Sequence, residues 1–189
     1  KVFCNELSIA LKNIISLRHF SISVSHANKS FSEENILALL DNLKTQTKLE
    51  ILTLSLPEVS FSDISMLKIS EILTNCKRIT HFFVESWRPP NFSEKGFALF
   101  IKGINNCLKL KSLVINFDQS NIGKGLVNLV HSLINRQLRP SRVDIHIEKC
   151  NKLSLLDYQK ILALKRSNPA ARAWNIYTQK PLPNSMIVL

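Results

Sequence analysis

The feature that most constrains the fold is a pattern that recurs every 30 to 32 residues along the chain. It is clearest between Leu110 and Leu133. There Leu113, Ile115 and Phe117 alternate with other residues, which predicts a strand with one buried face. Aligned on their first apolar residue, the five copies begin at Leu17, Leu49, Ile79, Leu110 and Pro140.

The second half of the same segment predicts a helix, because four apolar residues follow the spacing i, i+3, i+4, i+7. They are Leu126, Leu129, Val130 and Leu133. A single βα unit cannot bury both of its faces, whereas stacked units bury a continuous core. We therefore predict parallel strands, each followed by a helix, near residues 19–24, 51–56, 81–85, 112–117 and 142–147.

Three of the predicted helices begin in the same way. Their first residues are Phe31-Ser32-Glu33, Phe61-Ser62-Asp63 and Phe92-Ser93-Glu94. Serine is a favoured N-cap residue, and an acidic residue in the first turn complements the helix dipole. The preceding phenylalanine is placed to pack as a hydrophobic staple.

The pattern L-x-x-L-x-L, followed by N-x-I-G and an amphipathic helix, resembles the ribonuclease-inhibitor-like class of leucine-rich repeats. The resemblance extends from about Leu7 to Leu164. It departs from the family in that only Asn121 supplies the turn asparagine, and Pro140 replaces the first leucine of the fifth copy. The resemblance implies an α/β solenoid of about five βα repeats over residues 1–166. In such a solenoid a curved parallel sheet lies on one side and helices lie on the other.

The resemblance also implies binding of proteins through the concave sheet or its rims, and it implies no catalytic residues. The sequence contains none of the short phosphate-binding, zinc-protease or serine-hydrolase motifs. His19 and His81 belong to strands two repeats apart, on the order of 10 Å from each other, which is too far to share a metal ion. We therefore predict a non-enzymatic protein with no cofactor, no metal and no small-molecule substrate.

Residues 167–189 break the repeat pattern and are predicted to form an extended C-terminal tail. Pro181 and Pro183 favour an extended path. Trp174, Tyr177 and the Met186–Leu189 segment are too apolar for a solvated tail. Two interpretations stay open: the tail is a cap on the last repeat, or it is an anchor that docks into a partner.

Four scattered cysteines without a C-x-x-C pair predict buried free thiols in a reducing compartment, with a disulfide as the alternative. We expect an intracellular location, with the cytoplasm favoured over an organelle. No run of eighteen or more apolar residues occurs, so we expect no transmembrane segment.

The net charge of +11 suggests an acidic partner, but the charge is unevenly placed. On the expected concave face, three basic residues balance three acidic ones. Seven basic residues at helix ends are expected to line one rim: Lys44, Lys48, Lys77, Arg78, Lys109, Arg136 and Arg139. Residues 149–189 contain seven basic residues and one acidic residue, so they contribute +6 of the total.

These patterns predict a protein-interaction or scaffold module that is a structural subunit of a larger assembly. The alternative is an RNA-associated subunit of a ribonucleoprotein that uses the basic rim and the C-terminal end. The partner is then a protein, for which an acidic surface would fit the charge, or RNA. The candidate binding residues on the concave face are Phe83, Glu85, Val114, Asn116 and His146. Those at the C-terminal end are Lys165, Arg166, Arg172, Trp174 and Tyr177.

Overall fold

The computed structural model describes residues 2–24, 32–57, 59–86, 91–117, 122–136, 139–147 and 153–178. The described helices are α1 (Val2–Asn13), α2 (Glu33–Leu43), α3 (Asp63–Asn75), α4 (Glu94–Asn106), α5 (Gly123–Ile134) and α6 (Leu155–Ser167). A 3-10 helix follows at Pro169–Ala173. The described strands are β1 (His19–Ser23), β2 (Ile51–Ser55), β3 (His81–Ser86), β4 (Ser112–Phe117), β5 (Arg142–Ile147) and β6 (Asn175–Thr178).

All six strands form one parallel sheet in chain order, from β1 at one edge to β6 at the other. Because the strands are parallel and consecutive, each connection must cross over to the start of the next strand. One helix makes each of the first four crossovers, and α6 with the 3-10 helix makes the fifth. The register aligns equivalent positions of the copies, so that Leu52, Phe82, Leu113 and Val143 are neighbours across the sheet. The predicted α/β fold with a parallel sheet and a βα repeat arrangement is confirmed.

The core lies between the sheet and the helices. Alternate residues of each strand face the helices and are buried, including Leu52, Leu54, Val84, Leu113, Ile115 and Ile145. The helices bury matching apolar faces, which in α5 consist of Leu126, Leu129, Val130 and Leu133. The period of two in the strands and the period of 3.6 in the helices therefore predicted the two apolar faces that meet in this core.

Hydrogen bonds between neighbouring copies link the N-termini of α2, α3 and α4. The Glu33 carboxylate accepts hydrogen bonds from the backbone N–H of Ser62, at 2.7 Å, and from the Ser65 hydroxyl. In the next copy Asp63 accepts in the same way from the N–H of Ser93 at 2.6 Å and from its hydroxyl at 2.7 Å. Glu33 and Asp63 therefore stabilise the next helix as well as their own.

The sixth strand was not predicted. In the segment assigned to the tail, residues 169–173 form the 3-10 helix and residues 175–178 form β6, which pairs with β5. Between them Trp174 is 1% exposed and packs into the core. Residues 179–189, with Pro181, Pro183 and Met186–Leu189, lie outside the described residues.

Cys76 and Cys107 are free, fully buried thiols. Burial raises the pKa of each to about 11, and for Cys107 the nearby Arg136 and Lys77 offset only part of that rise. Both thiols are therefore protonated at neutral pH and are poor nucleophiles. The side chain of Cys4 and all of Cys150 lie outside the described residues.

Candidate functional site

One face of the sheet points away from the helices, and we call it the open face. Its side chains form three columns that run across the strands. The first column is His19, Ile51, His81, Ser112 and Arg142. The second is Ser21, Thr53, Phe83, Val114, Asp144 and Asn175. The third is Ser23, Ser55, Glu85, Asn116, His146 and Tyr177.

The centre of the open face is apolar. Phe83 on β3 and Val114 on β4 are direct neighbours in the second column, and both are half-buried. Adjacent strands are about 4.8 Å apart, so the two side chains form one continuous apolar patch. Their position between the outer strands places this patch in the middle of the sheet.

A hydrogen-bonded group borders the patch on the side of the third column. The Glu85 carboxylate accepts from the Ser55 hydroxyl at 2.6 Å and from the Asn116 side-chain amide at 3.0 Å. These three residues lie on three successive strands. The contacts fix the Glu85 carboxylate in one orientation before any partner binds.

A second polar group lies on the β5–β6 side of the patch. Asp144 is 7% exposed and accepts from the Arg142 guanidinium at 2.6 Å and from the Asn175 amide at 2.7 Å. Burial disfavours the charged carboxylate, but the hydrogen bonds from Arg142 and Asn175 outweigh it and lower the pKa of Asp144. Asp144 is therefore ionised at neutral pH although it is buried.

An aromatic stack borders the same side of the sheet. The rings of His146 and Tyr177 are parallel within 18°, with centroids 4.3 Å apart. Tyr177 remains 49% exposed. β6 brings Tyr177 into the third column, so a residue assigned to the tail belongs to the same face as Glu85, Asn116 and His146.

Charges on and beside the open face are paired with one another. Glu50 forms ion pairs with Arg18 at 3.5 Å and with Arg78 at 3.3 Å, in addition to the Arg142–Asp144 pair. Arg78 belongs to the predicted basic rim. Two further rim residues are also engaged, because Lys44 pairs with Asp41 at 3.2 Å and the Arg136 guanidinium donates to the carbonyls of Ile104 and Cys107. Lys44 and Arg136 therefore stabilise the ends of α2 and α4.

The remaining candidate residues lie in α6 and the 3-10 helix, at the end of the sheet formed by β6, and away from the centre of the open face. Lys165 and Arg166 in the last turn of α6, and Arg172 in the 3-10 helix, line one shallow cavity of about 330 Å³ together with Leu162. Trp174 is buried, so its side chain is part of the core here. None of the three cations has an ion-pair partner among the described residues.

Within the described part of the chain, no group of three or more histidine, cysteine or acidic residues is arranged to hold a metal ion. His19 and His81 lie on either side of Ile51 in the first column, two strands apart. None of the described helices is long and apolar enough to cross a membrane.

Sequence reasoning missed two residues that shape the open face. Asn175 was left out because residues 175–178 were assigned to the tail rather than to a strand. Asp144 is one of the three acidic residues expected on the concave face, but it is not among the candidate binding residues, and its contact with Asn175 depends on β6. The alternation of Trp174, Ile176 and Thr178 was the available signal for a sixth strand. No protein-family model matches the chain, and no curated protein is similar to it in sequence.

Proposed function

We propose that this chain is a non-enzymatic protein-interaction module, a structural subunit that binds a protein partner through its open face. The observation that carries the proposal is the make-up of that face. An apolar centre, Phe83 and Val114, is bordered by the Glu85 group, the Asp144 group and the His146–Tyr177 stack. Protein interfaces have this arrangement, with an apolar centre and a polar rim.

The bordering groups also favour tight binding because they are already ordered. Immobilising a flexible side chain costs about 0.5–1.5 kcal/mol on association. On this face, hydrogen bonds within the sheet hold the Glu85 and Asp144 carboxylates, and stacking holds the ring of His146. A partner would meet these side chains in a fixed arrangement and would not have to order them.

We further propose that the repeat arrangement is a leucine-rich-repeat solenoid. Packed helices need interaxial distances of about 8–10 Å, whereas neighbouring strands need only about 4.8 Å. Stacking βα units in chain order therefore bends the stack, with the sheet on the inside. The open face would then be concave, and its three columns would wrap around a convex partner.

The charge pattern indicates how such a partner would approach. The open face is close to neutral because Arg18 and Arg142 are paired with Glu50 and Asp144. The cations Lys165, Arg166 and Arg172, which have no ion-pair partner in the described part of the chain, lie at one end. A partner with an acidic surface next to its binding site would be steered by that end, more through the association rate than through the final affinity.

The proposal is tested by adding one positive charge at two places. Val114→Arg inserts a charge at the apolar centre, and the matched control Ala98→Arg adds the same charge on the exposed surface of α4. Each tagged chain is purified from its native source after nuclease treatment. We expect a defined protein to co-purify with the wild-type chain and the control, and its affinity for Val114→Arg to fall at least about tenfold. Equal co-purification with both variants would contradict the proposal.

A second candidate function is that of an RNA-associated subunit of a ribonucleoprotein. The observation that favours it is the set of unpaired cations at the C-terminal end, where Lys160 adds to the three cavity residues. RNA binding predicts that the logarithm of the affinity falls linearly with the logarithm of salt concentration, with a slope set by the number of phosphates contacted. Protein binding through the nearly neutral open face predicts only a weak dependence on salt.

A further inference from the structure

The cavity at the C-terminal end concentrates positive charge in a way that the open face does not. Lys165, Arg166 and Arg172 line it, and Leu162 supplies an apolar wall. Cations in the last turn of a helix complement the helix dipole, which accounts for Lys165 and Arg166 taken alone. Arg172, in the last turn of the 3-10 helix, belongs to a different element, and it lines the same cavity.

The turn that brings Arg172 to the cavity is rigidly built. Asn168 is 9% exposed, and its side-chain oxygen accepts from the backbone N–H of Ala170 and from the Arg139 guanidinium, both at 3.1 Å. Pro169 fixes the backbone at the start of the 3-10 helix. The buried Trp174 holds the far end of this helix in the core. The backbone that carries Arg172 is therefore fixed next to the last turn of α6, which carries Lys165 and Arg166.

Among the described residues, most of the hydrogen-bond donors of these three cations have no acceptor. The Lys165 ammonium gives one of its three protons to the Trp174 carbonyl at 2.6 Å. Arg172 makes a single long contact, of 3.5 Å, to the Arg166 carbonyl. The Arg166 guanidinium donates to no other residue in the described part of the chain. Burial disfavours the charged ammonium of Lys165 and lowers its pKa. An anion in the cavity would offset this cost of desolvation.

We propose that this cavity binds a phosphomonoester group. Such a group carries a charge of about −1.5 to −2 at neutral pH and has three strong acceptor oxygens, one for each cation. A carboxylate carries only one negative charge, so it would neutralise less of the charge of the three cations. A phosphodiester of an RNA backbone also carries only one charge, and a small cavity at the end of the sheet offers no groove along which a strand could run.

The test is a titration of the isotope-labelled full chain, followed by amide and side-chain NMR shifts at constant ionic strength. The probes are inorganic phosphate, dimethyl phosphate as a diester and acetate as a carboxylate, with sodium chloride as the blank. We expect saturable shifts at Leu162, Lys165, Arg166 and Arg172 with phosphate, and at least about tenfold weaker binding of the two singly charged anions. Phosphate binding should also weaken as the pH falls below about 6, where the second proton binds.

Matched variants distinguish a specific phosphate-binding site from non-specific attraction of anions to a basic surface. Arg172→Gln removes one cavity cation, whereas Lys160→Gln removes the same charge from an exposed position on α6 outside the cavity. Both positions are exposed, so both variants should fold. We expect Arg172→Gln to weaken phosphate binding about tenfold and Lys160→Gln to change it less than about twofold. Equal losses in the two variants, or shifts no larger than those with chloride, would overturn the proposal.

Two further arms identify the source of the phosphate. A short peptide with one phosphoserine is compared with its unphosphorylated form and with inorganic phosphate. Tighter binding of the phosphopeptide assigns the site to a phosphorylated protein segment, and equal binding assigns it to a free phosphate group. A single-stranded RNA that binds without being displaced by phosphate would overturn the proposal in favour of an RNA surface.

Discussion

Asp144 shows how single residues hold the open face together. Its carboxylate is buried among the strands, yet it stays charged because Arg142 and Asn175 donate to it. The lowered pKa means that the folded protein binds the Asp144 proton less tightly than the unfolded chain does. The charged carboxylate therefore stabilises the fold above the unfolded pKa, near 4, and this contribution is lost as the pH falls through the folded pKa.

We predict that Asp144→Asn lowers the free energy of unfolding by about 1 kcal/mol at pH 7, since the exposed Arg142 side chain limits the strength of the pair. Denaturant titrations of the wild-type and variant chains at pH 7 and pH 3 measure this. The difference should shrink at pH 3, which is below the unfolded pKa, because the unfolded chain then binds the proton that the folded protein binds less tightly. A difference of the same size at both pH values would show that the ionised carboxylate contributes nothing.

Leu113 is a core position that alternation alone identified, and it is fully buried. We predict that Leu113→Ala costs about 2–5 kcal/mol of unfolding free energy, because the cavity that it leaves lies in a stack where each copy supports its neighbours. The control Lys111→Ala, two residues earlier and exposed, should change stability by less than about 0.5 kcal/mol. A loss below about 1 kcal/mol for Leu113→Ala would place this leucine outside the core.

At the level of elements, α3 and α4 approach each other closely because of glycine. A Cβ atom built on Gly103 would lie 2.5 Å from the Ser70 Cα atom, which is part of the α3 backbone. One on Gly96 would collide with the Asp63 carboxylate, which also accepts from Ser93. The two glycines thus allow the helices to pack at a distance that any side chain would increase.

We predict that Gly103→Ala destabilises the protein. In an isolated helix the same change is favourable by about 1 kcal/mol. Here the clash with the Ser70 backbone forces the helices apart, and such overpacking costs about 1–3 kcal/mol. Thermal unfolding compares it with Lys102→Ala, an exposed position next to it on α4. A Gly103→Ala protein at least as stable as the wild type would mean that the two helices can separate freely.

The same elements show what the sequence could and could not predict. Alternation placed Phe83, Glu85, Val114 and Asn116 on one face, because a strand has only two faces and the buried one is apolar. It could not predict that Glu85 would accept from Ser55 and Asn116, since cross-strand contacts depend on register and side-chain rotamers. β6 was missed because it is four residues long and follows a proline-led turn that resembles a tail.

At the scale of the whole molecule, the last repeat is completed by residues 169–178. Trp174 fills the space beside α6, and β6 pairs with β5 and extends the sheet. The indole N–H of Trp174 is buried and has no hydrogen-bond partner among the described residues. The packing of the large ring must therefore outweigh the cost of one unsatisfied donor.

Two truncations separate the interpretations of the C-terminal segment. We predict that a chain ending at residue 169 loses at least about 3 kcal/mol of stability or aggregates, because it lacks Trp174 and β6. A chain ending at residue 178 keeps Trp174 and β6, and its stability measures what residues 179–189 add. If that longer truncation is folded but no longer joins its assembly, residues 179–189 are the anchor. If the chain ending at 169 is as stable as the full chain, residues 170–178 are not a cap.

The central claim is that a protein partner contacts the centre of the open face, and site-specific photo-crosslinking tests it most directly. A benzophenone analogue of phenylalanine replaces Phe83 in one chain and Ala98, on the exposed surface of α4, in another. Both chains are irradiated in their native source. The account predicts a discrete, nuclease-resistant protein adduct from position 83 and none of that size from position 98. The same adducts from both positions, a nuclease-sensitive adduct, or no adduct from position 83 would contradict it.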